Sequence, residues 1–185
     1  MSAYKLRAGQ QFPDIKVQSE DGRQVSLVPT SDPSSPSGSD RWTAVIFYRG
    51  QHCPICTNFL NEAETMVGRF QGIGVDLVAV SADSPQQLQK NRDDDLNVSF
   101  PIFTGLTVPQ MEQLGLYISE PMSSSETDHM FNEPALMVVN SSNQIQLFDI
   151  ANGPFLRPNL EQLIRGLSYA RENKYPVRGT HGHGA

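Results

Sequence analysis

The stretch Ala44-Val45-Ile46-Phe47-Tyr48-Arg49-Gly50-Gln51-His52-Cys53-Pro54-Ile55-Cys56 decides the fold. Its opening apolar run reads as a strand buried on both faces, as in the middle of a parallel sheet. Beyond the cysteines, Phe59, Leu60, Ala63, Met66, Val67 and Phe70 recur at helical spacing. Both thiols therefore fall on a strand-to-helix turn. Pro54 suits the first helical position, where a missing N–H costs nothing, and this leaves Cys53 near the N-cap.

That placement bears on thiol chemistry. The thiolate is the attacking species, and a free cysteine has a pKa of about 8.5. Unpaired N–H groups and the positive end of the helix dipole favour an anion at such a turn. The Cys-X-X-Cys spacing lets one sulfur attack the other once it has been oxidised. A redox dithiol, Cys53 with Cys56, is the leading expectation.

The remaining chain narrows the class. At 185 residues, one domain with ample core is expected over residues 1–173, followed by a flexible tail from Lys174 to Ala185. A net charge of -6 argues against nucleic acid and anionic membrane as partners. No apolar run has the length of a membrane helix, and Met1 to Ala8 has no apolar signal-peptide core. A cytoplasmic location is the expectation, and there a lone cysteine pair is more often catalytic or metal-binding than a permanent crosslink. A structural zinc site needs four ligands, commonly a second Cys/His pair, and the only histidines are His52, His129, His181 and His183. Neither a metal nor a cofactor is expected. Asp93-Asp94-Asp95 reads as a solvated charge cluster.

Working outward, Phe12, Ile15, Val17, Val25 and Leu27 around Glu20-Asp21-Gly22 predict an N-terminal β-hairpin. Pro29 to Asp40, rich in Ser, Pro, Asp and Gly, reads as a mobile surface loop. Val75 to Ser81 is a second buried strand, and Ser84-Pro85 starts a helix with cap and proline in the favoured order. Phe100 to Phe103 fits a short edge strand, and a short helix from about Pro109 to Leu114 closes at Gly115. Glu120 to Glu133 is polar and irregular and is expected over the surface. Ala135 to Val139 and Ile145 to Phe148 predict a hairpin, and Pro158 is expected to open the last helix. Trp42 and Tyr48 read as core. Strands alternating with helices and ending in a hairpin imply an α/β fold with a mixed central sheet flanked by helices on both faces. The order resembles the thioredoxin-like fold, here with an N-terminal β-hairpin extension.

Phe47 to Cys56, the hairpin with Phe12-Pro13-Asp14, and Glu133-Pro134-Ala135 together resemble the alkyl hydroperoxide reductase / thiol-specific antioxidant family. They are most similar to its peroxiredoxin-like branch with Cys-X-X-Cys, over roughly residues 5 to 170. The resemblance implies a thiol-dependent oxidoreductase that reduces a hydroperoxide or a protein disulfide. A thiol reductant such as thioredoxin or glutathione would regenerate it, and family members associate through sheet edges or helix ends, so a homodimer is a further expectation. It also implies a cis-proline at Pro134, packed beside the dithiol.

The chain departs from the family pattern Pro-X-X-X-Thr-X-X-Cys. The peroxide-attacking cysteine falls on Cys56, the threonine on Cys53, and the proline on Arg49. The activating arginine of the late strand falls on Pro134. Two assignments of the nucleophile follow: Cys53 by analogy with thioredoxin, Cys56 by alignment with peroxiredoxins. Helix-end physics favours Cys53 as the more exposed. Arg49 would favour a thiolate by its charge, or be a solvated loop arginine. His52 would stabilise the thiolate as an imidazolium or shuttle a proton as a neutral ring, unless it points elsewhere. Arg157, at the start of the last helix, could reach the site, with a surface position the leading expectation. The alternative to an enzyme is a redox sensor or partner-binding module switched by the Cys53–Cys56 disulfide.

Overall fold

The structure is a computed structural model that describes residues 6–29 and 40–181. All but the two end residues of the expected Pro29–Asp40 loop lie outside it, as does His183. The elements are β1 (Lys16–Gln18), β2 (Gln24–Ser26), β3 (Trp42–Phe47), α1 (Pro54–Glu64), α2 (Val67–Gly72), β4 (Val75–Val80) and α3 (Pro85–Asp94). There follow β5 (Ile102–Phe103), α4 (Val108–Gln113), β6 (Ile118–Ser119), β7 (Phe131–Asn132), β8 (Ala135–Val139), β9 (Ile145–Ile150) and α5 (Leu160–Glu172).

A five-stranded sheet in the order β5-β4-β3-β8-β9 forms the centre, with β1-β2 and β6-β7 as separate two-stranded sheets. Strands β3, β4 and β5 are parallel, while β8 runs antiparallel to β3, and β9 to β8. The apolar run is buried on both faces because its side chains alternate between two cores. Ala44, Ile46 and Tyr48 join α1 and α5 on one face, whereas Val45 and Phe47 meet Met111, Leu114 and the N-terminal segment on the other. At the carboxyl end of β3, Phe47 pairs with Val80 on one side and Ala135 on the other. The turn after β3 is thereby flanked by Ser81–Asp83 and by Glu133–Pro134.

Three local expectations are corrected. The helical run through Phe70 is two helices: the Thr65 hydroxyl donates to the Glu62 carbonyl at 2.7 Å, and Met66 leaves helical geometry (φ -112°, ψ 0°). Pro158 precedes the cap of α5, because the Asn159 side chain accepts from the Gln162 N–H at 2.8 Å and caps one residue later. The Glu120–Glu133 segment is pinned by β6–β7 pairing and carries fully buried Phe131. At the start of the tail, the Tyr175 N–H donates to the Ala170 carbonyl at 2.8 Å, and the Gln146 amide donates to the Tyr175 carbonyl at 3.4 Å. Among the described residues no helix is long and apolar enough to cross a membrane.

Candidate active site

Cys53 is the N-cap of α1 and Pro54 follows at the start of the helix. The Cys53 sulfur accepts from the Cys56 N–H at 3.3 Å, and the Cys53 carbonyl accepts from the Thr57 N–H at 3.2 Å. A disulfide joins Cys53 to Cys56, with Cα atoms 5.3 Å apart, inside the range such bridges span. Before it, the Cys53 N–H donates to the Gly50 carbonyl at 3.1 Å. Gly50 has φ +131°, and an added Cβ would lie 2.5 Å from Asp83 Oδ1, so this tight turn requires glycine.

Cap position does not bring the exposure expected of Cys53. In the disulfide form Cys53 is 3 % and Cys56 0 % exposed, and both belong to the core beneath β3. The segment ahead of β8 closes over the turn. The Phe131 ring packs on His52 at 4.6 Å between centroids, and the Arg49 guanidinium lies 4.7 Å from the same ring. Arg49 is neither solvated nor aimed at sulfur. Its Nη2 donates to Glu126 Oε1 at 3.2 Å, and its Nε sits 3.3 Å from Glu133 Oε2, an ion-pair contact without hydrogen-bond alignment. Ser119 donates to the other Glu133 oxygen at 2.6 Å. The two carboxylates take the charge expected to act on the thiols.

His52 is likewise corrected as an imidazolium. Burial first, and then nearby Arg49, bring its pKa down to about 4, so the ring is neutral at pH 7. Among the described residues, neither of its ring nitrogens has a hydrogen-bond partner. The Glu133–Pro134 bond is trans, not cis. The chain runs extended from β7 straight into β8, with the Glu133 N–H on the Tyr117 carbonyl at 2.8 Å and the Pro134 carbonyl accepting from Ala151 at 2.9 Å, so no reversal is needed there. Pro134 lines a small pocket with Ile46, Phe59, Leu156 and Arg157.

The cation at the sulfur is Arg157, for which the sequence favoured the surface over the site. Its Nη2 donates to Cys56 Sγ at 3.0 Å, its Nε to the Pro154 carbonyl at 3.1 Å, and its guanidinium lies 5.3 Å from the Phe59 ring centroid. Burial, then repulsion by Arg49, lower its pKa to about 10, which leaves it charged at neutrality. Asp83 was missed altogether. It is 1 % exposed and accepts from the Gln51 N–H at 2.8 Å, and burial pushes its carboxyl up to about 6. The Tyr48 phenol is fully buried, and its pKa is raised by desolvation and by Asp83. The signal for Asp83 was topological, since residues just past the carboxyl ends of adjacent parallel strands converge. Arg157 left only its place ahead of a helix. Among the described residues, no group of three or more His, Cys, Asp or Glu is arranged to hold a metal.

Comparison with known proteins gives a consistent result. The model of the AhpC/TSA family matches residues 8–148. A cysteine-to-serine mutant of peroxiredoxin 6 from Arenicola marina superposes with a TM-score of 0.72 at 17% identity, covering 92% of this chain and 76% of that one. A peroxiredoxin-like protein from Aquifex aeolicus gives 0.70 at 15% identity, covering 89% and 88%. AhpC of Mycobacterium tuberculosis gives 0.65 at 17% identity, covering 90% and 98%. At such identities these structures establish the thioredoxin-like fold of a peroxiredoxin. A search of curated proteins returns no match.

Proposed function

Because the chain belongs to the AhpC/TSA family of thiol-dependent oxidoreductases, we propose that it reduces hydroperoxides through Cys56, with Cys53 as the resolving thiol. The observation that carries this reading is the Arg157 guanidinium 3.0 Å from Cys56 Sγ. Two groups of the family pattern that hold and polarise the peroxide, the threonine and the late-strand arginine, are replaced here by Cys53 and Pro134. Arg157 offers a fixed positive charge at the sulfur in their place, and such a charge favours thiolate over thiol.

The chemistry then runs in three steps. The Cys56 thiolate attacks the terminal oxygen of ROOH; the O–O bond breaks, ROH leaves with a proton, and Cys56 becomes a sulfenic acid. Cys53 attacks that sulfur, expels water and forms the disulfide. An external thiol attacks Cys53, the less buried sulfur, and releases the Cys56 thiolate beside Arg157; a second thiol then frees Cys53. The leaving sulfur is the one stabilised by charge, and a thiol of lower pKa leaves faster. A thioredoxin-type or glutathione-type thiol in a reducing compartment such as the cytoplasm is the reductant this cycle needs.

The test is to mix pre-reduced protein with hydrogen peroxide or an organic hydroperoxide and follow free thiols. Rapid loss of both thiols, with turnover once a thiol donor is supplied, is the expected result. Slow loss beside brisk exchange with a protein disulfide would transfer the role to disulfide reduction led by Cys53. One oxidation without turnover, whatever donor is added, would leave a redox sensor.

A further inference from the structure

Asp83 has no part in the three steps above, yet it is more deeply buried than Glu133, at 1 % against 5 % exposed. Its two oxygens are turned to the turn that carries the dithiol. Oδ2 accepts from the Gln51 N–H at 2.8 Å, while Oδ1 fills the space that a Cβ on Gly50 would take. The carbonyl of that same Gly50 accepts from the Cys53 N–H at 3.1 Å. One peptide therefore links the carboxylate to the cap residue of α1. On its outer side, Asp83 Oδ1 faces His129 Nε2 at 3.6 Å, an ion-pair separation longer than a hydrogen bond.

We propose that Asp83 is a positioning residue for the dithiol: as a carboxylate it clamps the Gly50–Gln51 peptide and so fixes Cys53 against Cys56, and on protonation it loosens that clamp. The proposal rests on the reading of Cys53 and Cys56 as the redox pair. A hydrogen bond to an ionised acceptor is roughly twice as strong as one to a neutral acceptor, so the clamp weakens when the charge is lost. The environment puts that change within reach of mild acid, because burial pushes the carboxyl up to about 6 against the Gln51 N–H and His129, which pull it down. Every neighbouring element contributes to its setting. The Tyr48 phenol, just past the end of β3, interacts with its charge, and Arg92 of α3 and Glu20 act on the same phenol. Ser81 lies on its own strand end, and its hydroxyl accepts from the Asp83 N–H at 3.2 Å. From the segment ahead of β7 come His129 and Asp128, the latter hydrogen-bonded to His129 Nδ1 at 2.8 Å and a raising influence on Asp83.

The test uses the full chain, isotope-labelled, in two measurements on the same samples. The Gln51 amide resonance is followed by NMR from roughly pH 4.5 to 8, and the peroxide oxidation rate of pre-reduced protein is taken across that range. The parent protein should show a Gln51 titration with its midpoint near 6. Its oxidation rate should climb through the same interval by roughly fivefold, over and above the limb due to thiol ionisation. Asp83→Asn keeps a neutral acceptor of the same shape, so it should abolish both signatures and leave the thiol limb alone. His129→Gln keeps the clamp but removes the facing imidazole, which pulls the Asp83 carboxyl down, and should move the Gln51 midpoint upward. A Gln51 resonance indifferent to pH in the parent overturns the proposal, as does a rate limb near 6 that survives Asp83→Asn. If that variant does not fold, a midpoint unmoved by His129→Gln overturns it instead. Should the parent not react with peroxide at all, the proposed function falls, whereas the amide titration still decides whether the clamp exists.

Discussion

Arg157→Met is the most direct perturbation of the site, since it takes the guanidinium from beside Cys56 and leaves an apolar chain over Phe59. A hydrogen bond to a charged group contributes about 1.5–3 kcal/mol. The Cys56 sulfur is fully buried, so solvent screens this contact little. Taking about 2 kcal/mol, and about 1.4 kcal/mol for each pKa unit, the Cys56 thiol should rise by roughly 1.5 units. Below the parent pKa the thiolate fraction falls roughly 30-fold, but a more basic thiolate is intrinsically a better nucleophile, with a Brønsted coefficient of about 0.4–0.5. The second effect returns roughly a factor of five, so the alkylation rate measured below the parent pKa should drop by about sixfold. The assay is alkylation of Cys56 against pH in a Cys53→Ser background, read by intact mass, with the parent arginine and Arg157→Met side by side. Arg157→Lys, which keeps the charge without the planar fork, should fall between them. An apparent pKa that stays where it was, in a variant that melts like the parent, would refute the idea that Arg157 holds the sulfur ionised.

Three further outcomes follow from the geometry. Cys53→Ser should stall the cycle after the first step, so peroxide-treated protein should gain the mass of one oxygen on Cys56, whereas Cys56→Ser should gain none. Gly50→Ala places a methyl against Asp83 at a backbone angle that side chains rarely adopt; a cost of about 1–3 kcal/mol is expected, and at roughly 2–4 °C per kcal/mol for this chain length a melting curve will show it. Asp83 should also shape stability against pH. Its carboxyl is raised from 3.8 to about 6 in the folded chain, so its contribution is fully present below the lower value and lost as pH rises through the upper one. Across that window the parent should lose up to about 3 kcal/mol relative to Asp83→Asn in urea titrations, and parallel curves for the two proteins would contradict the assignment.

Much of the fold was legible because its signals are local and strong. The buried run Ala44–Tyr48, the Ser84-Pro85 start and the Ala135–Phe148 hairpin each carry their structure in residue pattern, and each forms. Pro54 and Cys53 fell on the helix start for the same reason. What the pattern does not contain is packing between distant segments. Glu120–Glu133 looked like exposed loop because most of its residues are polar, yet Phe131 and Glu133 anchor it over the turn and redirect Arg49. Arg157 reaches Cys56 across 101 positions of chain, and the Asp83 bond to Gln51 spans 32. No periodicity reports contacts of that kind. The exposure assigned to Cys53 failed for a related reason: a helix cap is open in an isolated helix, and here the neighbouring segment shuts it.

The two sulfurs also belong to one turn of one helix, three residues apart. In the proposed cycle, the oxidised sulfur and the thiol that quenches it are therefore carried by the same few peptide units, and no second chain has to be met. Bond closure should be a first-order event whose rate is indifferent to dilution. A solitary molecule, with no copy of itself nearby, would finish that half of the cycle as quickly as one in a crowded solution.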